Sequence, residues 1–136
     1  GELLLNMRNY TGSRIRQVAR SKDGGLHWSS PEGDPSLPEP VCQASLLSVA
    51  GPSGEQWLAF SNPADAGLRV RMTVRISKDG GHTWPQKLLL HEGPAAYSNL
   101  VMLANGNLAC LFESGEQSAY ENIVFREIFW EEFWDE

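Results

Sequence analysis

Thiols and imidazoles are scarce in this 136-residue sequence, which holds two cysteines, Cys42 and Cys110, and three histidines, His27, His82 and His91. A structural zinc site takes about four such ligands at tight spacing, and no C-x-x-C pair is present. No metal or cofactor is therefore expected, and the cysteines read as two small buried apolar side chains. Positive charge is also short: 11 Lys and Arg stand against 17 Asp and Glu, for a net charge of −6. That balance argues against a nucleic-acid partner, whose binding surface is normally basic. Long apolar runs are missing too. No stretch of 18 uncharged apolar residues exists, so no membrane-spanning helix is expected. The opening Gly1-Glu2 before Leu3, Leu4 and Leu5 lacks the basic start and long apolar stretch of a secretory leader. A chain of this length fits one domain with a modest core and is too short for two.

What the sequence does have is a repeat. Ser21-Lys22-Asp23-Gly24-Gly25-Leu26-His27-Trp28 returns as Ser77-Lys78-Asp79-Gly80-Gly81-His82-Thr83-Trp84, a spacing of 56 residues. The shared pattern is S-x-D-x-G-x-x-W, and self-similarity at a fixed period marks an array of like units. Upstream of each copy lie a short apolar run, a polar loop and a second apolar run. Residues 15–20, 45–50, 57–60, 72–76, 100–103, 108–112 and 122–125 are rich in Val, Ile, Leu and Phe and bounded by Gly, Asn, Asp or Pro, so they read as strands. The count comes to about nine, in an all-β chain. Asn105-Gly106 between two such runs predicts a hairpin with a type I′ turn.

The S-x-D-x-G-x-x-W element reads as a structural turn. Asp23 and Asp79 can accept hydrogen bonds from turn amides. Gly25 and Gly81 supply left-handed backbone. Trp28 and Trp84 are expected to anchor the returning chain by burying large rings. These aspartates are not catalytic candidates. Helical spacing appears only near the end, where Phe125, Phe129 and Phe133 recur every four residues and predict a short helix. The acidic, aromatic segment 126–136 is otherwise expected to be a loose end, a cover for a sheet edge or a surface for self-association.

The turn is the Asp-box, and the chain to about Phe125 resembles the sialidase (neuraminidase) family of exo-α-sialidases. Beyond the boxes at 21–28 and 77–84, the resemblance rests on five stretches. They are Arg16 to Ser21, Cys42-Gln43-Ala44-Ser45, Phe60 through Arg69 to Arg75, Gly93-Pro94-Ala95-Ala96-Tyr97-Ser98-Asn99-Leu100, and Leu111-Phe112-Glu113. It implies one segment of a six-bladed β-propeller, a little over two blades of antiparallel strands spanning 1–136.

The resemblance also implies a chemistry. A sialoside carries a carboxylate on its anomeric carbon, and guanidinium groups suit it because they are planar, forked and permanently charged. By the resemblance Arg16 and Arg69 bind that carboxylate, and Tyr97 is the nucleophile of a retaining hydrolase, the known exception to paired-carboxylate glycosidases. A neutral nucleophile avoids repulsion from the substrate's own charge, but its phenol needs a base. Gln43 is implied to contact the sugar and Glu113 to support an arginine. The family's base glutamate, acid/base aspartate and first arginine find no match in this sequence, so the isolated chain is expected to be inactive. The partner implied is a sialylated glycan. The alternative is a non-catalytic propeller fragment that binds glycans or serves as a structural module.

Overall fold

The computed structural model describes residues 1–134; Asp135 and Glu136, the last two residues of the atypical tail, lie outside the described residues. Nine strands follow in order: β1 (Leu3–Met7), β2 (Ile15–Ser21), β3 (Glu32–Pro38), β4 (Ser45–Ala50), β5 (Gln56–Pro63), β6 (Val70–Ser77), β7 (Gln86–Met102), β8 (Leu108–Ser114) and β9 (Asn122–Ile128). All pairings are antiparallel between sequence neighbours. β1-β2-β3 form one sheet and β4 through β9 a second, continuous one. No helix among the described residues is long and apolar enough to cross a membrane. The architecture is an all-β partial propeller.

The 17-residue β7 organises the second sheet. Its first part, from Gln86, pairs with β6, and its second part, from Ala95, pairs with β8. One strand thus ends one blade and begins the next. The two blades fold face to face, with Val49, Trp57, Ala59, Met72, Val74 and Ile76 of one meeting Leu100, Leu108, Cys110, Phe112 and Ile128 of the other. Short polar ties cross the same face: Ser61 and Ser98 share a hydroxyl hydrogen bond of 2.7 Å, and the Leu100 amide donates to Ser45 Oγ at 3.1 Å. The first sheet docks through a smaller cluster of Leu37, Phe60 and Trp84. Arg20 Nη1 adds a strut, donating both to Glu2 Oε1 and to the Gly80 carbonyl of the second box. Both cysteines are free and buried.

Both Asp-boxes turn as the residues dictate. In each, the serine hydroxyl donates to the aspartate and accepts from the second glycine's amide, Gly25 or Gly81, whose φ is +94° or +89°. Asp79 then accepts from the amides of His82 and Thr83 and from the Thr83 hydroxyl at 2.6 Å. The Thr83 hydroxyl bond is the largest influence holding its carboxyl at about 2, against 3.8 for a free aspartate. The two tryptophans differ. Trp84 is 7% exposed and packs on Phe60 at 5.7 Å, whereas Trp28 is 42% exposed. Phe60 pairs with Arg75 on β6; one period earlier, the partner of Ala19 on β2 is only Leu5, itself 44% exposed. A leucine on a rim cannot offer Trp28 the bed that Phe60 gives Trp84.

The depressed Asp79 sets a pH dependence. Because the folded group titrates below the unfolded one, its contribution is present above about pH 4 and fades as pH falls toward 2. Thermal melts should therefore show Asp79→Asn clearly below wild type at pH 6 and the gap closing by pH 2. A constant gap across that range would sink the assignment.

Two local expectations are corrected. The Asn105-Gly106 hairpin is not type I′: only Gly106 is left-handed (φ +89°), its amide bonds to the Leu103 carbonyl, and Leu103 N donates to Asn107 O. Ala104 and Asn105 make the turn and Gly106 absorbs the bulge, which a connection of this length favours. Nor do Phe125, Phe129 and Phe133 share a helix. Phe125 lies in β9, and only Trp130–Phe133 form a single 3-10 turn. That turn is firmly docked. Trp130 stacks edge-on against Trp57 at 5.6 Å and its indole donates to Gly106 O at 2.8 Å. Arg126 grips Glu132 through two parallel bonds of 3.0 and 2.9 Å. Lys78 of the second box lies against both the Trp57 and Trp134 rings, 4.7 and 4.8 Å from their centroids.

Candidate functional site

The Asp-boxes occupy one end of the strands, after β2 and after β6. The opposite end gathers the C-terminal ends of β1, β3, β5 and β8 with the starts of β2, β4, β6 and β9. All three non-glycine residues with left-handed backbone among the described residues, Arg14 (φ 60°), Val41 (φ 60°) and Arg71 (φ 64°), lie there. Such backbone is costly for residues with a Cβ and tends to collect at functional sites.

Tyr97 is placed by a β-bulge. Along β7 and β8, Ala95 pairs with Ser114 and Ser98 with Phe112, so Ala96 and Tyr97 together oppose Glu113. The bulge frees the Tyr97 amide, and Glu113 Oε1 accepts it at 3.0 Å. Bulges re-aim side chains; here the ring is 45% exposed at the open end. Next in sequence, Ser98 is clamped by Gln43, whose side-chain amide accepts from Ser98 N and donates to Ser98 O, both at 2.9 Å. Gln43 and Glu113 thus fix the backbone on both sides of the tyrosine, and both also line the cleft beside its ring.

Two cations flank the ring. Arg8, just past β1, donates from Nη1 to the phenolic oxygen at 3.4 Å. The Arg69 guanidinium carbon lies 5.8 Å from the ring centroid. Arg69 is itself held by Tyr120, whose hydroxyl accepts from Nη1 at 2.8 Å, and by the Val41 carbonyl on Nη2 at 3.1 Å. The left-handed turn at Val41 is what presents that carbonyl.

Arg16 sits elsewhere. It is 3% exposed. Its guanidinium bonds Glu39 Oε1 (3.1 Å), the Cys42 carbonyl (2.7 Å) and Asn6 Oδ1 (2.6 Å), and lies over the Phe60 ring. Burial is the chief influence lowering its proton affinity, partly offset by Glu39. Arg16 therefore braces the floor and is not brought to the open surface with Tyr97 and Arg69. Two residues earlier, Arg14 is exposed, and its carbonyl accepts the Glu39 amide at 3.0 Å.

Glu39 is the organising residue that sequence reasoning missed. It is 1% exposed, pairs with Arg16, and accepts from the amides of Cys42 (2.9 Å) and Asn9 (3.4 Å). Pro38-Glu39-Pro40 follows β3 with two residues that lack a backbone donor, so locally the segment reads as a loop and gives Glu39 no mark of its role. Among the described residues no group of three His, Cys, Asp or Glu side chains is placed to hold a metal ion.

A BNR repeat-like domain model matches residues 1–110. A sialidase from Micromonospora viridifaciens is 36% identical over 127 residues, and one from Bacteroides fragilis is 43% identical over 121. These matches take in 90% and 84% of this chain but only 20% and 22% of the relatives. The solved Hadza microbial sialidase Hz136 superposes with a TM-score of 0.80 at 37% identity, over 93% of this chain and 25% of its own. A leech intramolecular trans-sialidase, at 23% identity and a TM-score of 0.82 over 98% of this chain and 22% of its own, shares the fold. The chain spans about a fifth to a quarter of the length of these four proteins. It belongs to the sialidase family, as part of a BNR-repeat propeller.

Proposed function

We propose that this chain is the portion of an exo-α-sialidase that supplies the nucleophile and part of the carboxylate site. The observation that carries the reading is the exposed Tyr97 flanked by Arg8 and Arg69 at the end away from the Asp-boxes. In this reading Arg69 receives the carboxylate of a terminal sialic acid. Arg8, beside the phenolic oxygen, is the second cation at that surface, while Arg16 and Glu39 hold the floor beneath. Gln43 and Glu113 fix the tyrosine's backbone, and either can face the sugar from the same cleft.

The chemistry is retaining hydrolysis. The Tyr97 oxygen bonds the anomeric carbon as its phenolic proton passes to a base, and the glycosidic oxygen leaves with a proton from an acid. Water then adds to the same carbon, the Tyr97 oxygen departs with the bonding pair, and sialic acid is released. This sequence offers no match for the acid, the base or the first arginine. General acid catalysis alone supplies about 10²–10⁴-fold. The isolated chain is therefore expected to release no 4-methylumbelliferone from its sialoside above a Tyr97→Phe control. The stronger test installs residues 1–134 in place of the matching segment of the Micromonospora viridifaciens sialidase. There Tyr97→Phe should cost at least about a hundredfold in kcat, as loss of a nucleophile does. An active chimera indifferent to that change would leave the non-catalytic reading, a glycan-binding or structural propeller fragment.

A further inference from the structure

We propose that a second copy of this chain docks on it head-to-tail, the outer face of the first sheet in one copy covering the outward face of the last blade in the other. The proposal stands whether or not Tyr97 is a nucleophile.

The chain uses one packing rule twice within itself. Register aligns the first sheet with the middle blade. Leu3 pairs with the box serine Ser21 and Leu5 with Ala19, as Leu58 pairs with Ser77 and Phe60 with Arg75. Leu3 and Leu5 therefore hold the places of Leu58 and Phe60. In the middle blade those two residues, with Trp84, form the face that the first sheet covers through Leu37. The opposite face of that blade, with Val49, Trp57, Ala59, Val74 and Ile76, meets Leu100, Cys110 and Phe112 of the last blade. Each unit thus gives one face to the unit before it and the other to the unit after it. One face of each kind is left over.

At the front, Leu3, Leu5 and Trp28 are exposed, with Met7 and Ile15 half-buried beside them. Trp28 belongs to this face: a Cβ at Gly25 would lie 3.6 Å from both the Leu3 and the Trp28 side chains. It is the counterpart of Trp84, which Leu37 of the first sheet helps to bury. At the back, Val101, Leu111, Ile123 and Phe125 are exposed. Leu111 pairs with Asn99 on one side and Phe125 on the other, while the alternate residues Leu100, Cys110 and Phe112 point into the inter-blade core. Apolar surface gathered in this way marks a contact. The back face carries Glu113 and Glu127, and the strand residues Leu3, Leu5, Met7, Ile15, Gln17 and Ala19 of the front bring no charge against them. The occupant is a second copy because the surface it must supply is one this chain already builds. The two faces differ, so the contact is heterologous, each copy using one of each.

The same rule sets the orientation. Arg20, next to the first box, bonds the Gly80 carbonyl of the second, so box ends align across a contact. The docked first sheet then brings its own opposite end alongside Tyr97. It walls the open side of the cleft lined by Tyr97, Leu111, Glu113 and Ile123.

Sedimentation equilibrium reads the contact directly. The wild-type mass should climb with concentration to at least twice the 15.1 kDa of one chain, as mass action requires. Leu3→Lys with Leu5→Lys removes the front face, and Leu111→Lys with Phe125→Lys the back. Each double variant alone should stay at the mass of one chain. All four residues are exposed, so thermal melts should remain close to wild type; should a double variant melt early, Leu5→Lys and Phe125→Lys alone take its place. Mixed in equal amounts, the two variants retain one intact front and one intact back between them. The mixture should form a dimer and nothing larger. Leu68→Lys, in the exposed loop between β5 and β6, should associate like wild type. A wild-type chain that stays monomeric up to its solubility, its faces left bare or taken by some other protein, would overturn the proposal. So would a mixture of the two folded variants that stays monomeric, or a front variant that dimerises by itself through its back face.

Discussion

Glu39→Ala is expected to be the most damaging single substitution in this chain outside its apolar cores. The carboxylate is the hub of the floor beneath the site: it neutralises a guanidinium as buried as itself and accepts two backbone amides. Removing it leaves Arg16 charged, covered and short of its counter-ion, and uncovers two amides with nowhere to turn. Breaking a buried ion pair from one side costs about 3–5 kcal/mol. Against a total stability on the order of 5–15 kcal/mol, that is about a fifth or more of what holds the domain together. The melting temperature should fall by roughly 10–20 °C. The double variant Arg16→Met with Glu39→Leu should lose much less than Glu39→Ala alone, because no charge is then stranded. A loss below about 1 kcal/mol for Glu39→Ala in urea unfolding would mean that water already reaches Arg16.

The second large effect is expected at the far end. Trp130→Ala removes an indole that packs on Trp57 and Phe133 and bonds the Gly106 carbonyl. Truncating a buried tryptophan costs about 3–5 kcal/mol. The neighbouring Phe129 is 47% exposed and makes no comparable contact, so Phe129→Ala should stay within about 0.5 kcal/mol of wild type. Urea midpoints with unchanged slopes would measure both. Equal, small effects for the two residues would mean that the segment after β9 rests on the sheet without holding it. Through Trp134 this acidic, aromatic stretch closes the end of the inter-blade core, and Lys78 lies against Trp134 of the stretch and Trp57 of β5.

Strand positions were legible because the chain punctuates itself. Short Val-, Ile- and Leu-rich runs between Gly, Asn and Pro marked most of the strands, though not β3, which carries Asp34 and Pro35, nor the length of β7, and the Ser, Asp and Gly of the two boxes marked them as turns. The family was legible from the Asp-boxes together with the stretches around Arg16, Gln43, Arg69, Tyr97 and Glu113 that resemble it. The site was legible only in part. Arg14 and Arg16 are two residues apart, a spacing that in regular strand puts both on one face. What separates them is the left-handed backbone at Arg14, which releases one side chain to the surface and buries the other, and nothing in the local pattern announces it. Glu39 was overlooked because a glutamate between two prolines reads as loop, whereas its meaning comes from Arg16, 23 residues earlier. The type I′ expectation failed on a similar point: Asn-Gly specifies a left-handed glycine, but loop length decides whether the asparagine joins it.

The continuity of β7 has a consequence for how this architecture opens and how it is inherited. In sequence the recurring unit runs from one strand through the box to the next, yet each box delivers the chain into a strand that, at β7, belongs to two blades at once. The repeat and the blade are therefore out of phase. A fluctuation that frees the β6 partner of β7 tugs directly on the β8 partner, so amides of the last two blades should exchange with solvent as one cooperative unit, while the first sheet, joined through the broken Pro38–Pro40 connection, opens on its own. Gain or loss of one 56-residue period cuts through blades rather than between them, which ties each blade's persistence to its neighbour's.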